Sequence, residues 1–362
     1  MRLLPHGLVP VMGLRDLVAL RYLQRDGMSL MLDAAPDANQ PPFLLALSSW
    51  LSLDGPPVET FVVRHRHEGT GFIQARPRLR RPEADLLYIA PAAWSEGSCL
   101  LWERLLGRLT GWASESGLLR LYAALPAGSA EEAAFRRSGY LRYATEALLR
   151  LDDLPEPALL RLHPGLRPQK GRDVWPLQRL YASITPLRVQ QAEGLIHNGW
   201  RVPTDDWNGQ AWTKSLVLED KDGLLAHLGL RRGRAAHTFR LVCRPEVDGL
   251  QRDLITHALA VIAQWPPRPI YSSVRHYQLR LDAQLEELGF TPIAERALTV
   301  RHLVLSVRPA LEELVLRLQG AVGAVHSSPL SENGNAADGA ATLAIASRSA
   351  LEWEYDTISD HR

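Results

Sequence analysis

A single order of secondary-structure signals occurs twice along this chain, and a duplication of that kind constrains the fold more than any other feature of the sequence. In the first occurrence, apolar spacing predicts a helix over Leu14–Leu23 and a strand over Glu59–Arg66. A Gly69-Thr70-Gly71 turn follows, then strands over Phe72–Arg76 and Asp85–Ala90, the latter running into Pro91. A long helix over Ser98–Ser114 carries Leu101, Leu105, Leu109 and Trp112 on one stripe. A strand Leu119–Leu125, a short helix Ala130–Ser138, a Gly139-Tyr140 stop and a strand Ala144–Leu151 complete the unit. The second occurrence has a helix over Asp173–Tyr181 and strands Ser215–Glu219 and Leu224–Arg231 around Asp222-Gly223. The strand His237–Cys243 ends before Pro245, and the helix Leu250–Gln264, strand Pro269–Val274, helix Leu279–Leu288, Gly289-Phe290 and strand Glu295–Leu305 follow. Tyr122 and Tyr271 lie 149 positions apart, and Gly139 and Gly289 lie 150 apart.

These signals divide the chain into an N-terminal domain over 1–151, a linker over 152–170, a C-terminal domain over 171–308, a helix over 309–320 and a tail over 321–362. A length of 362 residues allows two domains at roughly 150 residues each. The linker carries Pro155, Pro157, Pro164 and Pro168. Pro309 opens the last helix, Leu311, Leu314, Val315 and Leu318 line it, and Gly320 stops it. The tail is poor in large apolar groups and is expected to be disordered and acidic, with six acids and two arginines. The expected architecture is α/β, two lobes in tandem that each carry a mixed central sheet, in a monomer that acts as an internal pseudo-dimer.

Forty-one basic and forty acidic residues leave a net charge of +1, which gives no electrostatic footprint for nucleic acid or an anionic membrane. No apolar run approaches the ~18 residues of a membrane span. Cys99 and Cys243 are the two cysteines, with no CxxC pair and no metal-ligand spacing, so neither a disulfide framework nor a metal is expected. A reducing cytoplasm fits this usage, and Met1–Leu14, broken by Pro5, Gly7 and Pro10, does not read as a secretion signal.

The element order, with its proline-marked loop before the long helix and its Gly-aromatic stop after the short one, resembles the GNAT superfamily of acyl-CoA-dependent N-acyltransferases. The likeness covers residues 12–151 and 171–308. It implies acetyl-CoA or another acyl-CoA as cosubstrate, an amine on a small molecule or peptide as acceptor, and direct attack of that amine on the thioester. In that family the loop before the long helix presents backbone amides to the CoA pyrophosphate, at the positive end of the helix dipole. The matching window in the first repeat is Trp94-Ser95-Glu96-Gly97-Ser98-Cys99, so the resemblance assigns Ser95, Glu96, Gly97 and Ser98 to the pyrophosphate cradle. Tyr88 and Ile89 would supply the strand backbone that polarises the thioester carbonyl, and Asp85 would be the general base. The second window, Glu246-Val247-Asp248-Gly249-Leu250-Gln251, keeps the glycine but adds two acids, which points to the first lobe as the acyl-CoA site. Phe135 and Leu285 stand where the family's acid is a tyrosine, so neither position can protonate the departing thiolate.

Other residues stand out by type and position. His65 and His67 share one strand face. His237 is the strand candidate for a base in the second repeat. Arg275, His276 and Tyr277 follow a strand where this fold faces its acceptor groove, and Trp200 and Trp207 lie in a long connection that would form part of the acceptor wall. Two functions are compatible with these residues: an N-acyltransferase acting in the N-terminal lobe, or a catalytically silent tandem GNAT-like binding or scaffold protein.

Overall fold

Alternation and helical spacing translate almost directly into elements in the computed structural model, which describes residues 14–32, 41–51, 57–65, 69–79, 81–92, 96–194, 213–244 and 249–303. Of residues 14, 65 and 96–99 only the backbone is described. The first repeat comprises α1 (Leu14–Leu23), β1 (Met28–Ser29), α2 (Pro42–Trp50), β2 (Glu59–His65), β3 (Gly69–Pro77), β4 (Glu83–Ala90), α3 (Glu96–Glu115), β5 (Arg120–Pro126), α4 (Ala130–Arg137) and β6 (Leu141–Leu151). The connection carries a two-residue strand, β7 (Arg167–Pro168). The second repeat comprises α5 (Val174–Ile184), α6 (Leu187–Ala192), β8 (Lys214–Asp220), β9 (Gly223–Arg232), β10 (His237–Cys243), α7 (Leu250–Ile262), β11 (Ile270–Arg275), α8 (Leu281–Glu287) and β12 (Thr291–His302). The expected helix over 309–320 and the tail lie outside the described residues.

Both Gly-aromatic pairs do the same job. Gly139 at φ +85° and Gly289 at φ +93° end α4 and α8 in the left-handed conformation that only glycine adopts at no steric cost. The next amide then turns back onto the helix, Tyr140 N–H to Phe135 O at 3.1 Å and Phe290 N–H to Leu285 O at 3.1 Å.

The expectation of two separate sheets meets a different arrangement. A single path of hydrogen-bonded strands runs β2-β3-β4-β5-β12-β6-β11-β10-β9-β8-β7, with β1 added beside β4. The closing strands are exchanged: β12 of the second repeat pairs with β5 of the first, and β6 of the first pairs with β11 of the second. The registers obey the duplication. Tyr122 faces Val300 and Tyr271 faces Arg150, and these are the same pair displaced by about one repeat. At the centre β6 and β12 run antiparallel with Glu146 opposite Arg296, positions that are themselves repeat equivalents, so the pseudo-twofold axis passes between them. Packing follows the exchange. Leu149 and Leu151 of β6 lie in the core built by α7 and α8, whereas Leu298 and Val300 of β12 pack with Tyr122, Ala124 and α6. Each buried leucine contributes roughly 1.5–3 kcal/mol, so each lobe depends on the other's closing strand.

One buried polar group in this fold gives a pH signature. His227 on β9 is fully buried and its Nε2 lies 2.8 Å from Ser215 Oγ, while burial pushes its pKa down to about 4. A histidine depressed in the fold protonates first in the unfolded chain. The stability it protects is therefore intact above the ordinary value and drains as the pH falls from about 6.5 to about 4. Urea titrations should show about 3 kcal/mol less stability at pH 4 than at pH 7 from this group. The loss should be shallower by that amount in His227→Gln; identical pH slopes in the two proteins would refute the assignment.

Candidate functional site

The parallel strands of each repeat part after three paired residues. β4 and β5 pair at Glu83–Arg120, Ala84–Leu121 and Asp85–Tyr122, and β10 and β11 at His237–Ile270, Thr238–Tyr271 and Phe239–Ser272. Beyond those pairs each couple diverges, which opens a cleft in the sheet with strand backbone along its wall.

The two clefts are filled differently. In the first lobe the chain's own residues occupy the opening: Met28 and Ser29 pair with Ile89 and Tyr88, Leu30 N–H donates to Leu87 O at 3.0 Å, and Ala124 N–H donates to Leu30 O at 2.9 Å. Leu30, Met31 and Leu32 are buried there. On its other side β4 pairs with β3, Ile73 with Ile89 and Gln74 with Tyr88. Tyr88 and Ile89, expected to present backbone to a thioester, are thus paired along both edges. The Tyr88 ring stacks on Phe72 and crowds Gly27, where a Cβ would come within 2.6 Å of Tyr88 Cε1. Asp85, the expected base, is 5% exposed and receives two bonds from Arg78, Nη2 to Oδ1 at 2.6 Å and Nε to Oδ2 at 2.9 Å. Both its oxygens are committed to that fork, an arrangement that holds structure and leaves no lone carboxylate over the cleft. Of the expected pyrophosphate cradle, Ser95 lies outside the described residues, and the backbone of Glu96, Gly97 and Ser98 opens α3.

In the second lobe the cleft wall is closed by a side chain. Gln278 donates from Nε2 to Leu241 O of β10 at 2.8 Å and accepts at Oε1 from Arg275 N–H of β11 at 3.0 Å, spanning the opening. The mouth beside it is lined by Tyr181, Ile184, Arg240, Val242, Arg275 and Tyr277. Strand alternation builds this wall: Phe239, Leu241 and Cys243 face the α7 core, so Arg240 and Val242 face α5.

Two buried carboxylates organise the wall. Glu146, with no exposed surface, accepts from Arg240 Nη2 at 3.0 Å and from Arg296 Nη2, and Arg275 Nε lies 3.9 Å away. These guanidiniums hold the Glu146 carboxyl below the usual carboxylate range against the opposing effect of burial, the largest single influence on it. Glu193 pairs with Arg275 Nη2 at 2.7 Å and accepts from the Tyr181 hydroxyl at 2.6 Å. Arg275 Nη1 in turn donates to the Tyr181 and Tyr277 hydroxyls at 2.9 and 3.0 Å. Burial drives the Tyr181 hydroxyl well above its ordinary value, so it stays protonated.

The remaining sequence candidates are structural or lie elsewhere. His237 is 1% exposed, with Nε2 2.8 Å from Pro266 O and its ring edge-on to Trp265. Phe135 and Leu285 are buried in the two cores and carry no proton to donate. His276 sits on the surface beside Glu295, while its neighbours Arg275 and Tyr277 reach the cleft mouth. His67, Trp200 and Trp207 lie outside the described residues. Among the described residues no group of three or more His, Cys, Asp or Glu is placed to hold a metal, and no helix is long and apolar enough to cross a membrane. Tyr181, Glu193, Arg240 and Glu146 were not singled out by sequence, because they come from four elements and no local spacing joins them.

Duplicated order, splayed parallel strands and helices on both faces define a tandem α/β fold around one continuous path of paired strands. No family model matches the sequence and no curated protein matches it. Among solved structures it is similar to a GCN5-related N-acetyltransferase from Sphaerobacter thermophilus, at 15% identity and a TM-score of 0.45, covering 74% of this chain and 88% of that one. It is also similar to a tandem GNAT protein from the clavulanic acid biosynthesis pathway, at 16% identity and a TM-score of 0.43, covering 73% and 89%. A third likeness is a GNAT-family acetyltransferase from Colwellia psychrerythraea, at 13% identity and a TM-score of 0.40, covering 81% and 98%.

Proposed function

We propose that the chain is an acyl-CoA-dependent N-acyltransferase that takes up its cosubstrate in the cleft between β10 and β11. The observation that carries this reading is the contrast between the two openings: a length of main chain occupies the first, whereas the Gln278 side chain spans the second. A side chain can rotate away at the cost of two hydrogen bonds, roughly 1 kcal/mol each. The β10 backbone from Leu241 to Cys243 would then align the thioester, and the N-terminus of α7 at Gly249, where a Cβ would meet no atom within 4 Å, leaves room for the pyrophosphate. In the reaction the acceptor nitrogen bonds to the thioester carbonyl carbon, the C–S bond breaks, and CoA leaves as a thiolate. The attacking amine gives its proton to water and the thiolate takes one from water, since Leu285 offers none. Positioning supplies most of the acceleration in such a site.

Calorimetric titration of acetyl-CoA into the full chain tests the reading. The parent should bind, and Gln278→Ala should bind roughly thirtyfold more tightly because the bonds that close the cleft, about 2 kcal/mol together, no longer have to be broken. Absence of binding in both proteins at millimolar acetyl-CoA would overturn it. The competing reading is a catalytically silent tandem module, and a specific observation favours it: the filled first cleft together with apolar residues at both acid positions.

A further inference from the structure

The turn that ends α6 touches both lobes at once. On the first-lobe side the Tyr122 hydroxyl donates to Ala192 O at 2.8 Å, and Val189 and Ala192 pack with Tyr122 and Ala124 of β5. Two residues on, Gly194 stands at φ +70°, so close to the first lobe that a Cβ would lie 2.7 Å from Arg120 Nη1 and 3.3 Å from Glu83 Oε1. Those two side chains pair at 3.2 Å, and the Arg78 guanidinium lies over the Tyr122 ring, 4.2 Å from its centroid, so the surface beneath the turn is buried and braced. On the second-lobe side Glu193, between Ala192 and Gly194, pairs with Arg275, whose backbone N–H is the donor to Gln278 Oε1. There is a second strut. Arg296 donates to Met31 O at 3.1 Å and Leu32 O at 2.8 Å, in the chain that fills the first cleft, and also to Glu146, which accepts from Arg240 in the wall of the second cleft.

We infer that the first lobe is the mount of the second cleft, with Tyr122 and the clamped Arg296 as positioning residues that hold Arg275 and Arg240 in place. Burial makes the first lobe the fixed partner. Leu30, Met31 and Leu32 are each 3% exposed or less, and drawing these three large side chains out of the first cleft disfavours its open form by at least about a thousandfold. The occupants of that cleft therefore serve as anchorage for Arg296, and the cleft takes no ligand of its own. The support is one-sided: Tyr271, the repeat equivalent of Tyr122, packs with Leu148 and Ala236 and lies beneath Arg150, a side chain at the surface. What the second cleft does with its ordered wall rests on the transferase reading above; the support itself does not.

Amide hydrogen exchange of the full chain without any acyl-CoA, followed residue by residue by NMR, tests this, because the Arg275 N–H bonded to Gln278 reports the state of the second cleft. Tyr122→Phe keeps the ring and lies in the other lobe. It should speed Arg275 exchange roughly five- to tenfold, the scale of one hydrogen bond, relative to the Phe290 amide at the end of α8 in the same lobe as the cleft. Arg296→Met should act in the same direction, and Tyr122→Phe decides the matter if Arg296→Met does not fold. Tyr271→Phe is the control for direction: the Ala124 amide, which donates to Leu30 O in the first cleft, should keep its parent rate. Arg275 exchange unchanged by Tyr122→Phe, or raised no more than that of Phe290, would overturn the proposal, as would faster Ala124 exchange in Tyr271→Phe. Acetyl-CoA is titrated separately: a cleft that binds none leaves the exchange result standing and removes the transferase reading, and unchanged Arg275 exchange does the reverse.

Discussion

Replacing Glu146 with glutamine is expected to lower the unfolding free energy of the full chain by about 3–5 kcal/mol, the largest effect of any single substitution proposed for this molecule. The carboxylate is completely buried, and Arg240, Arg296 and Arg275 converge on it from three strands. A neutral amide keeps the shape but removes the charge that offsets three desolvated guanidiniums. Because Glu146 and Arg296 face each other across the pseudo-twofold axis, the same change loosens the seam between the repeats, and denaturant unfolding should lose cooperativity as well as midpoint. Arg296→Met removes one cation from an excess of cations and should cost less than Glu146→Gln. Equal costs, or a loss below about 1 kcal/mol for Glu146→Gln, would show that solvent reaches the cluster and screens it as at a surface pair.

Separating the repeats should abolish folding of each one. A chain ending at residue 151 would present β6 with neither of its strand neighbours, since both β11 and β12 belong to the second repeat, and would leave the β12 side of β5 open. An open central edge of that length is a template for aggregation. Leu149 and Leu151 would lose the core they fill and expose it to water. Expressed singly, either half should give no cooperative thermal transition, and the two halves expressed together should recover one complex that melts once. A soluble, cooperatively melting first half would contradict the exchanged strands. Residues Met1–Ser306 form one compact unit, in accord with this expectation.

The elements themselves were legible from sequence because their signals are local. Leu101, Leu105, Leu109 and Trp112 mark α3 by their spacing, His237–Cys243 marks β10 by its apolar run before a proline, and Gly139 and Gly289 mark helix stops by a backbone angle that only glycine adopts freely. Nearly equal offsets between such signals, 149 and 150 residues, were enough to reveal the duplication. Met28–Ser29 and the following Leu30–Leu32 are too short to show a period, so nothing marked them as the occupants of the first cleft, and Tyr88 and Ile89 seemed available where they are paired on both edges. Asp85 has the residue type of a base, but Arg78, seven positions earlier, folds back on it around the turn between β3 and β4. Arg275 and Tyr277 were visible because they follow a strand end, whereas Arg240 looked like any strand residue.

The sequence by itself therefore determined that this is a duplicated α/β chain and where most of its longer strands and helices lie; the short elements β1, α2, α6 and β7 carry too little periodicity to be read. Tertiary structure alone decided which strands are neighbours, because a strand's period specifies its faces and says nothing of its edges. It also decided which cleft is closed by main chain and which by Gln278, and it assembled Glu146, Glu193, Arg240 and Arg275 from segments up to 129 residues apart. Charges so distant in sequence meet only after the closing strands have crossed between repeats, and their mutual stabilisation exists only in the buried, low-dielectric surroundings which that crossing creates.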